Sequence, residues 1–289
     1  MLLIDYNQVC ISNILQQTSN GNEMNEDLIR HMVLSSLLLY RKKFPDYGEM
    51  IICCDDQDYW RKEIFPYYKA SRKAGREKSA IDWKLLFNIL HTIQEELSQS
   101  LGLTVVKVSR CEADDIIGIL TIENGGDWFQ TKDTEKIIII SGDKDFPQLQ
   151  RYGNVEQYSP IAKKMLRESN PAQFLHTHIM KGDSGDGIPN FLSDDDVFVT
   201  DKRQKPIRTK KLNVWREQKP EDFCDDDMLA KYKRNQSLID FNYIPEAYKT
   251  SILKAFDLAQ NNRNRDIMKY LMSKSLKQLT ERAQEFTKL

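Results

Sequence analysis

The chain has 289 residues, 40% of them hydrophobic and 29% charged, enough for one large or two modest globular domains with a sizeable core. Its net charge of -1 leaves no overall basicity to announce nucleic acid, so any such affinity has to come from local segregation of charge. No run approaches the roughly 18 apolar residues of a membrane span and the amino terminus has no signal-peptide pattern; five cysteines (Cys10, Cys53, Cys54, Cys111, Cys224), odd in number and without metal-ligand spacing, read as reduced thiols of a cytosolic protein.

Leu2, Leu3 and Ile4 form a short apolar run that ends in Asp5 and reads as a strand. Residues 25–43 carry apolar side chains at helical spacing, and Pro45 closes that segment. A second apolar strand, residues 50–54, runs into Asp55 and Asp56. Residues 57–80 differ in character, because Tyr59, Trp60, Arg61, Lys62, Phe65, Tyr67, Tyr68, Lys69, Arg72, Lys73, Arg76 and Lys78 interleave cations with aromatics among few acids. Cations for phosphates and rings for bases are the composition of a nucleic-acid contact; the competing reading is an amphipathic surface helix whose long side chains lie along it.

Asp82 is placed to cap a helix over 83–100, with Leu86, Ile89, Leu90, Ile93 and Leu97 on one face. Residues 103–108 read as a third strand, followed by Glu112, Asp114 and Asp115 at a helix start, where acids also complement the helix dipole. A loop over 124–134 leads to Ile137, Ile138, Ile139 and Ile140, four β-branched residues in a row. Such a run is a strand buried on both faces of a parallel sheet, and it ends in Ser141, Gly142, Asp143, Lys144 and Asp145. Residues 155–158 form one more short strand.

After Pro160 the pattern turns helical, with a proline-initiated helix over 171–180 and then a tight glycine turn, Gly182 to Pro189, holding Asp183 and Asp186. Such turns expose backbone N–H groups that can hold a phosphate. Asp194 to Asp196 and Asp225 to Asp227 read as solvated loop charges. Lys202, Arg203, Lys205, Arg208, Lys210 and Lys211 form a basic loop, either in contact with phosphate or a plain surface loop. Residues 238–245 are apolar enough to pack a second lobe, Pro245 starts a helix to about 258, and a last amphipathic helix spans about 265–286. The four histidines show no ligand or triad spacing and are read as structural.

Acids thus follow four apparent strands, and a fifth set lies in the glycine turn. One parallel sheet gathers strand-end residues at a single edge, where ligands of such sheets bind. Carboxylates crowded there repel one another, and a hard divalent cation, Mg²⁺ or Mn²⁺, removes that cost. Two such ions would clamp both oxygens of a phosphoryl displacement and activate a water. No GxxxxGK loop is present to suggest a P-loop enzyme, and no metal-spaced Cys and His to suggest zinc. A metal-dependent phosphodiesterase acting on nucleic acid is the best physical reading.

At Glu112-Ala113-Asp114-Asp115-Ile116-Ile117-Gly118 and Ser141-Gly142-Asp143-Lys144-Asp145-Phe146-Pro147-Gln148-Leu149 the chain resembles the flap endonuclease / 5′→3′ exonuclease family. Gly182-Asp183-Ser184-Gly185-Asp186-Gly187-Ile188-Pro189 is similar to the family's G-D-x-x-D-x-I-P turn, and Tyr67-Tyr68-Lys69-Ala70-Ser71-Arg72 to its Y-K-x-x-R segment. With Tyr59-Trp60-Arg61 and residues 238–245, the likeness reaches the T-even-phage ribonuclease H branch and covers nearly the whole chain.

The resemblance implies an α/β fold: a PIN-like domain over 1–160 with a central, mostly parallel sheet and a helical arch at 57–80. A smaller helical lobe over 161–289, with a helix–three-turn–helix-like element, would bind duplex. It implies 5′→3′ exonuclease action on RNA–DNA and DNA duplexes, cleavage of 5′ flaps, and removal of RNA primers from lagging-strand fragments. The protein would be a phage-encoded monomer working in the bacterial host cytoplasm. Two Mg²⁺ (or Mn²⁺) ions are implied, the first served by Asp5, Asp55, Glu112, Asp114 and Asp115, the second by Asp143, Asp145, Asp183 and Asp186, with Asp114 able to bridge and many contacts running through metal-bound water. Lys69 would reach the scissile phosphate, with Arg72 and Arg76 supporting. Arg61, Tyr67 and Tyr68 would contact nucleic acid at the arch, and Gly185, Gly187 and Ile188 would hold duplex backbone away from the cut.

Two departures from the family pattern stand out. After Pro189 the glycine-containing continuation is replaced by Asn190-Phe191-Leu192-Ser193-Asp194, which implies an altered duplex-binding lobe. No clamp-binding peptide is visible at either end. The C-terminal helix reads as core packing, with docking of a single-strand-binding protein as its alternative. Two other functions compete: a PIN-type ribonuclease of RNA processing, which needs neither the arch nor the glycine turn, and a catalytically silent nucleic-acid-binding protein, which would not gather unneutralised acids.

Overall fold

A computed structural model describes residues 1–18, 25–126, 134–200, 202–261, 266–287 and 289. Most of the expected loop at 124–134, and the expected helix start at Arg265, lie outside these residues. A six-stranded sheet organises the chain: β1 (Leu2–Asp5), β2 (Met50–Cys54), β3 (Thr104–Lys107), β4 (Ile137–Ile140), β5 (Val155–Ser159) and β6 (Lys164–Leu166), in the order β3-β2-β1-β4-β5-β6. The first five are parallel; β6, unforeseen in the sequence, pairs antiparallel with β5.

Every residue of β1, β2 and β4 is buried, as their unbroken apolar runs require when both faces of a sheet are covered. Alternate side chains divide between two cores. Leu2, Ile4, Ile52, Ile138 and Ile140 pack with α1 (Tyr6–Thr18), α2 (Glu26–Lys43) and, beyond α3 (Arg61–Ile64), which turns Arg61 inward, and the exposed α4 (Ala70–Glu77), α5 (Trp83–Gln99). Leu3, Ile51, Cys53 and Ile139 pack on the other face against α6 (Ala113–Asn124). Asn25 and Asp82 cap α2 and α5 by accepting from Leu28 N and Leu85 N.

The chain lays down β1, β2 and β3 in one direction, then returns through α6 to place β4 on the far side of β1. Strand order therefore reverses between β1 and β4, and a crevice opens beyond their carboxyl ends. Asp5 and Asp143 stand at its lips.

Beyond the sheet, α7 (Pro171–Lys181), a run of turns and α8 (Thr209–Trp215) lead to α9 (Pro220–Phe223) and α10 (Asp226–Ile239). Asp225, expected in a solvated loop, instead caps α10 by accepting from Met228 N, with Asp226 and Asp227 in the first turn. This part has its own core, in which Ile179, Met180, Ile188, Phe191, Leu238 and Ile239 meet Phe65 and Tyr68 from the 57–80 segment. Asn190 organises the departure after Pro189: its Oδ1 accepts from Leu192 N and Ser193 Oγ, and its Nδ2 donates to Lys205 O.

α11 (Glu246–Asn261) then returns to pack on the second sheet face, with Ile252 buried beside Ile116 and Val106. The single last helix expected from the sequence is broken into α12 (Ile267–Ser273), α13 (Lys277–Thr280) and α14 (Ala283–Phe286), with Ser275 at φ 55 between the first two. Their apolar residues Leu271, Leu279 and Phe286 join the first core, so these helices are core packing. Tyr270 OH donates to Glu96 on α5, which also pairs with the buried Arg30 of α2. Across the boundary expected near residue 160, β6 pairs with β5 and α11 to α14 cover the sheet.

Candidate active site

Four of the strand-end acids converge. Asp5, Asp55, Asp114 and Asp143 line one cleft of about 890 Å³, together with Asp56, Lys69, Arg72, Arg76 and Lys107. Neighbouring polar side chains hold them. Asp5 accepts from Ser141 Oγ at 2.9 Å and from Gln8 N at 3.2 Å. Asp55 accepts from Asn7 Nδ2 at 2.6 Å and from Ala113 N at 2.7 Å, which ties the end of β2 to the start of α6. Asp143 Oδ1 accepts from Asp145 N at 2.9 Å. Asn7 and Gln8 were not singled out in the sequence, because α1 itself, a mixed run of polar and apolar residues, gives no clear helical stripe.

The crowding appears in the protonation equilibria. Burial first, and then Asp55, push Asp5 up to about 7. Burial and Asp145 push Asp143 up to about 7. Burial, Asp143 and Asp5 hold Asp114 well above the usual carboxylate range, and burial with Glu112 raises Asp55. Such a set of oxygen donors keeps protons for want of a counter-charge, which fits a hard divalent cation. A stability prediction follows for metal-free protein. A carboxyl raised in the folded state binds more protons folded than unfolded, so stability falls as pH rises. Metal-free protein will therefore melt at progressively lower temperature from about pH 4 to about pH 7. Calorimetry in EDTA checks this, and a melting temperature that rises across that window would contradict it.

Facing these acids, the segment before α4 carries Lys69 in the left-handed region, at φ 56. Its backbone N–H donates to Asp186 O at 2.7 Å, and its ammonium pairs with Glu112 and lies 3.4 Å from Asp186. Arg72 also pairs with Asp186, and Tyr68 OH lies 2.7 Å from Glu112 and 2.9 Å from Asp186, its single proton shared between the two carboxylates. Burial alone would raise Glu112 and Asp186, but Lys69, with Arg61 for Glu112 and Arg72 for Asp186, holds both below the usual range. These two acids are thus neutralised by the protein itself.

Several residues expected at the site face elsewhere. Arg61, read as a nucleic-acid contact, is 4% exposed and pairs with Glu112 at 3.0 Å and Asp115 at 2.8 Å. Asp115 is fully buried, receiving Trp60 Nε1 and, in a capping box, the Glu112 N–H; the structure does not bring it to the cleft. Tyr68 is buried as well, whereas Tyr67 is exposed. In the glycine turn Gly187 and Ile188 are buried, while Ser184 and Gly185 face solvent. Gly187, at φ +72, sits so close to the arch base that a Cβ would stand 3.1 Å from Tyr67 O. The turn thus braces the arch base from within.

Asp145 and Asp183 form a second group beside the cleft, joined by a residue that sequence spacing did not reveal. His178, read as structural, places Nε2 2.7 Å from Asp145 Oδ1 and 3.8 Å from Asp183 Oδ2. Burial lowers its pKa, but the two carboxylates outweigh that and raise it. Lys144 Nζ lies 2.8 Å from Asp183 Oδ1.

Comparison with known proteins agrees with this geometry. Residues 2–178 match the profile of the 5'-3' exonuclease N-terminal resolvase-like domain, and residues 171–286 that of the T4 RNase H C-terminal domain. Ribonuclease H of Enterobacteria phage T4 is 30% identical over 98% of this chain and 95% of its own length. A flap endonuclease Xni from a Shewanella species is 29% identical over 59% of this chain and 61% of its own. Phage T5 5'-exonuclease with bound zinc superposes with a TM-score of 0.59 at 15% identity, covering 89% of this chain and 99% of that one. A T5 flap endonuclease complex with DNA and metal ions gives 0.59 at 15%, covering 100% and 99%. No helix of the described residues is long and apolar enough to cross a membrane. Acids gathered at the switch point of a resolvase-like sheet, followed by the T4-type C-terminal region, place the chain among the metal-dependent nucleases of the 5′-3′ exonuclease family.

Proposed function

We propose that the protein hydrolyses RNA–DNA and DNA duplexes from their 5′ ends and cuts 5′ flaps, so removing RNA primers during lagging-strand replication in a phage-infected bacterial cytoplasm. The observation that carries this reading is the meeting of four protonation-prone carboxylates with Lys69, Arg72 and Arg76 across one cleft. Carboxylates alone would repel a phosphodiester; cations alone would bind it without chemistry.

Two Mg²⁺ or Mn²⁺ ions would supply a polarised phosphoryl oxygen and a nucleophilic hydroxide at neutral pH. Asp5, Asp55, Asp114 and Asp143 would hold the first, and Asp143, Asp145 and Asp183 the second. Glu112 and Asp186 act from behind, holding Lys69 in place. Lys69 would leave Glu112 for the scissile phosphate, while Arg72 and Arg76 neutralise neighbouring phosphates and the exposed Tyr67 offers a ring face to a base. Gly185 and Ser184 offer the exposed edge of the glycine turn to duplex backbone. The protein would act as a monomer alongside a single-strand-binding protein.

Cleavage of 5′-labelled substrates tests this, with RNA–DNA, DNA–DNA and 5′-flap forms run in parallel in Mg²⁺ or EDTA. Short 5′ products released only with Mg²⁺ are expected. Cutting of single-stranded RNA alone would show a ribonuclease of another kind, and binding without cleavage a silent protein.

A further inference from the structure

We propose that the second group of acids is a mixed nitrogen–oxygen metal site in which His178 Nε2 is a direct ligand, so that this site prefers Mn²⁺ over Mg²⁺. The inference rests on the metal-dependent reading above and extends it to a residue outside the acidic motifs.

The ligand atoms of Asp145, His178 and Asp183 all lie within 4.8 Å of one another. Metal–ligand bonds of about 2.1 Å set neighbouring ligand atoms about 3 Å apart at right angles and about 4.2 Å apart across the metal. The observed 2.7 Å from His178 Nε2 to Asp145 Oδ1 and 3.8 Å to Asp183 Oδ2 fall around those values. Asp183 splits its work: Oδ1 accepts from Gly185 N at 2.8 Å and receives Lys144, while Oδ2 is turned to His178.

The backbone fixes this arrangement before any ion arrives. His178 lies in the last turn of α7, and its carbonyl accepts from Gly182 N at 2.8 Å. Gly182, at φ +65, then folds Asp183 back toward the imidazole, and a Cβ there would stand 2.3 Å from Ile188 O. Only glycine fits that bend. Asp145 is set by its own N–H to Asp143 Oδ1. His178 and Asp183 are 8% and 4% exposed, so water does not displace them freely.

A simple imidazolium–carboxylate pair would need only one acid. Here the nitrogen stands between two, each on a different element, as a shared cation requires. Mg²⁺ dehydrates reluctantly and takes oxygen ligands, whereas imidazole suits first-row transition ions.

Pulsed EPR of the full chain loaded with Mn²⁺ tests the assignment. ¹⁴N modulation from a directly bound imidazole is expected in the parent protein and absent from His178→Gln, with Mn²⁺ affinity at that site falling at least roughly tenfold and Mg²⁺ affinity little changed. Circular dichroism and melting confirm that the variant is folded, and His178→Asn provides a second variant if it is not. Mn²⁺ bound without ¹⁴N modulation, or modulation that persists in both variants, overturns the proposal. If Mg²⁺-dependent duplex cleavage remains in that case, the functional reading stands and only the His178 assignment fails; absence of both Mn²⁺ binding and cleavage overturns the two together.

Discussion

Asp143→Asn will abolish cleavage while making the metal-free protein more stable. Asp143 lies in the turn after β4 and lines the cleft with Asp5, Asp55 and Asp114. The amide is nearly isosteric and still offers Oδ1 to Asp145 N, so the turn after β4 keeps its hydrogen bond. The charge is lost. A carboxylate pushed up to about 7 by burial and Asp145 opposes folding whenever it ionises. Removing it will stabilise metal-free protein by about 1–3 kcal/mol above pH 7 and by nothing near pH 4, where the parent carboxyl is already protonated. Cleavage will fall at least about 10³-fold, the order seen when one preorganised electrostatic group is deleted from a phosphoryl- or acyl-transfer site. Added Mg²⁺ will raise the melting temperature of the parent more than that of the variant. Cleavage within tenfold of the parent, in a folded variant, would remove Asp143 from the chemistry.

That opposition between stability and activity was partly legible in the sequence. Unbroken apolar runs at β1, β2 and β4, each ending in aspartate, required a parallel sheet with its acids at one edge, and the structure gathers them there. What the runs could not say is which acid of a neighbouring pair faces the cleft. Asp114 and Asp115 are consecutive on α6, about 100° apart around its axis. One lines the cleft and the other points back to Arg61 and Trp60. The residues that follow (Ile116, Ile117, Ile119, Leu120) are all buried, so they give no polar face by which to choose. His178 was hidden for a different reason: it meets Asp145 through the packing of α7 on the turn after β4, and no spacing along the chain records that contact.

Arg61→Met will unfold the protein more easily without weakening its hold on DNA through a lost phosphate contact. The composition of 57–80 could not separate cations that face phosphate from cations that neutralise buried acids. The structure does: Arg61 donates to Leu238 O at 2.8 Å, pairs with Glu112 and Asp115, and lies 4.5 Å from the Trp60 ring. Removing one partner of a buried ionic group strands the others, at about 3–5 kcal/mol, or roughly 10 °C in a chain of this size. Arg61→Lys will recover little, because a single ammonium cannot reach three acceptors set in a planar fork. Adding Asp115→Asn to Arg61→Met will recover part of the lost stability, since the carboxylate whose ion pair was with Arg61 is then uncharged, whereas Glu112 keeps its pairing with Lys69. Arg76→Ala is the contrast: Arg76 lines the cleft from the exposed side of the arch, so its loss will leave the melting temperature nearly unchanged and lower the salt dependence of DNA binding by about one phosphate contact. If Arg61→Met instead lowers the salt dependence at unchanged melting temperature, Arg61 is a nucleic-acid contact after all, and the inward pairing seen here is not what its charge is for.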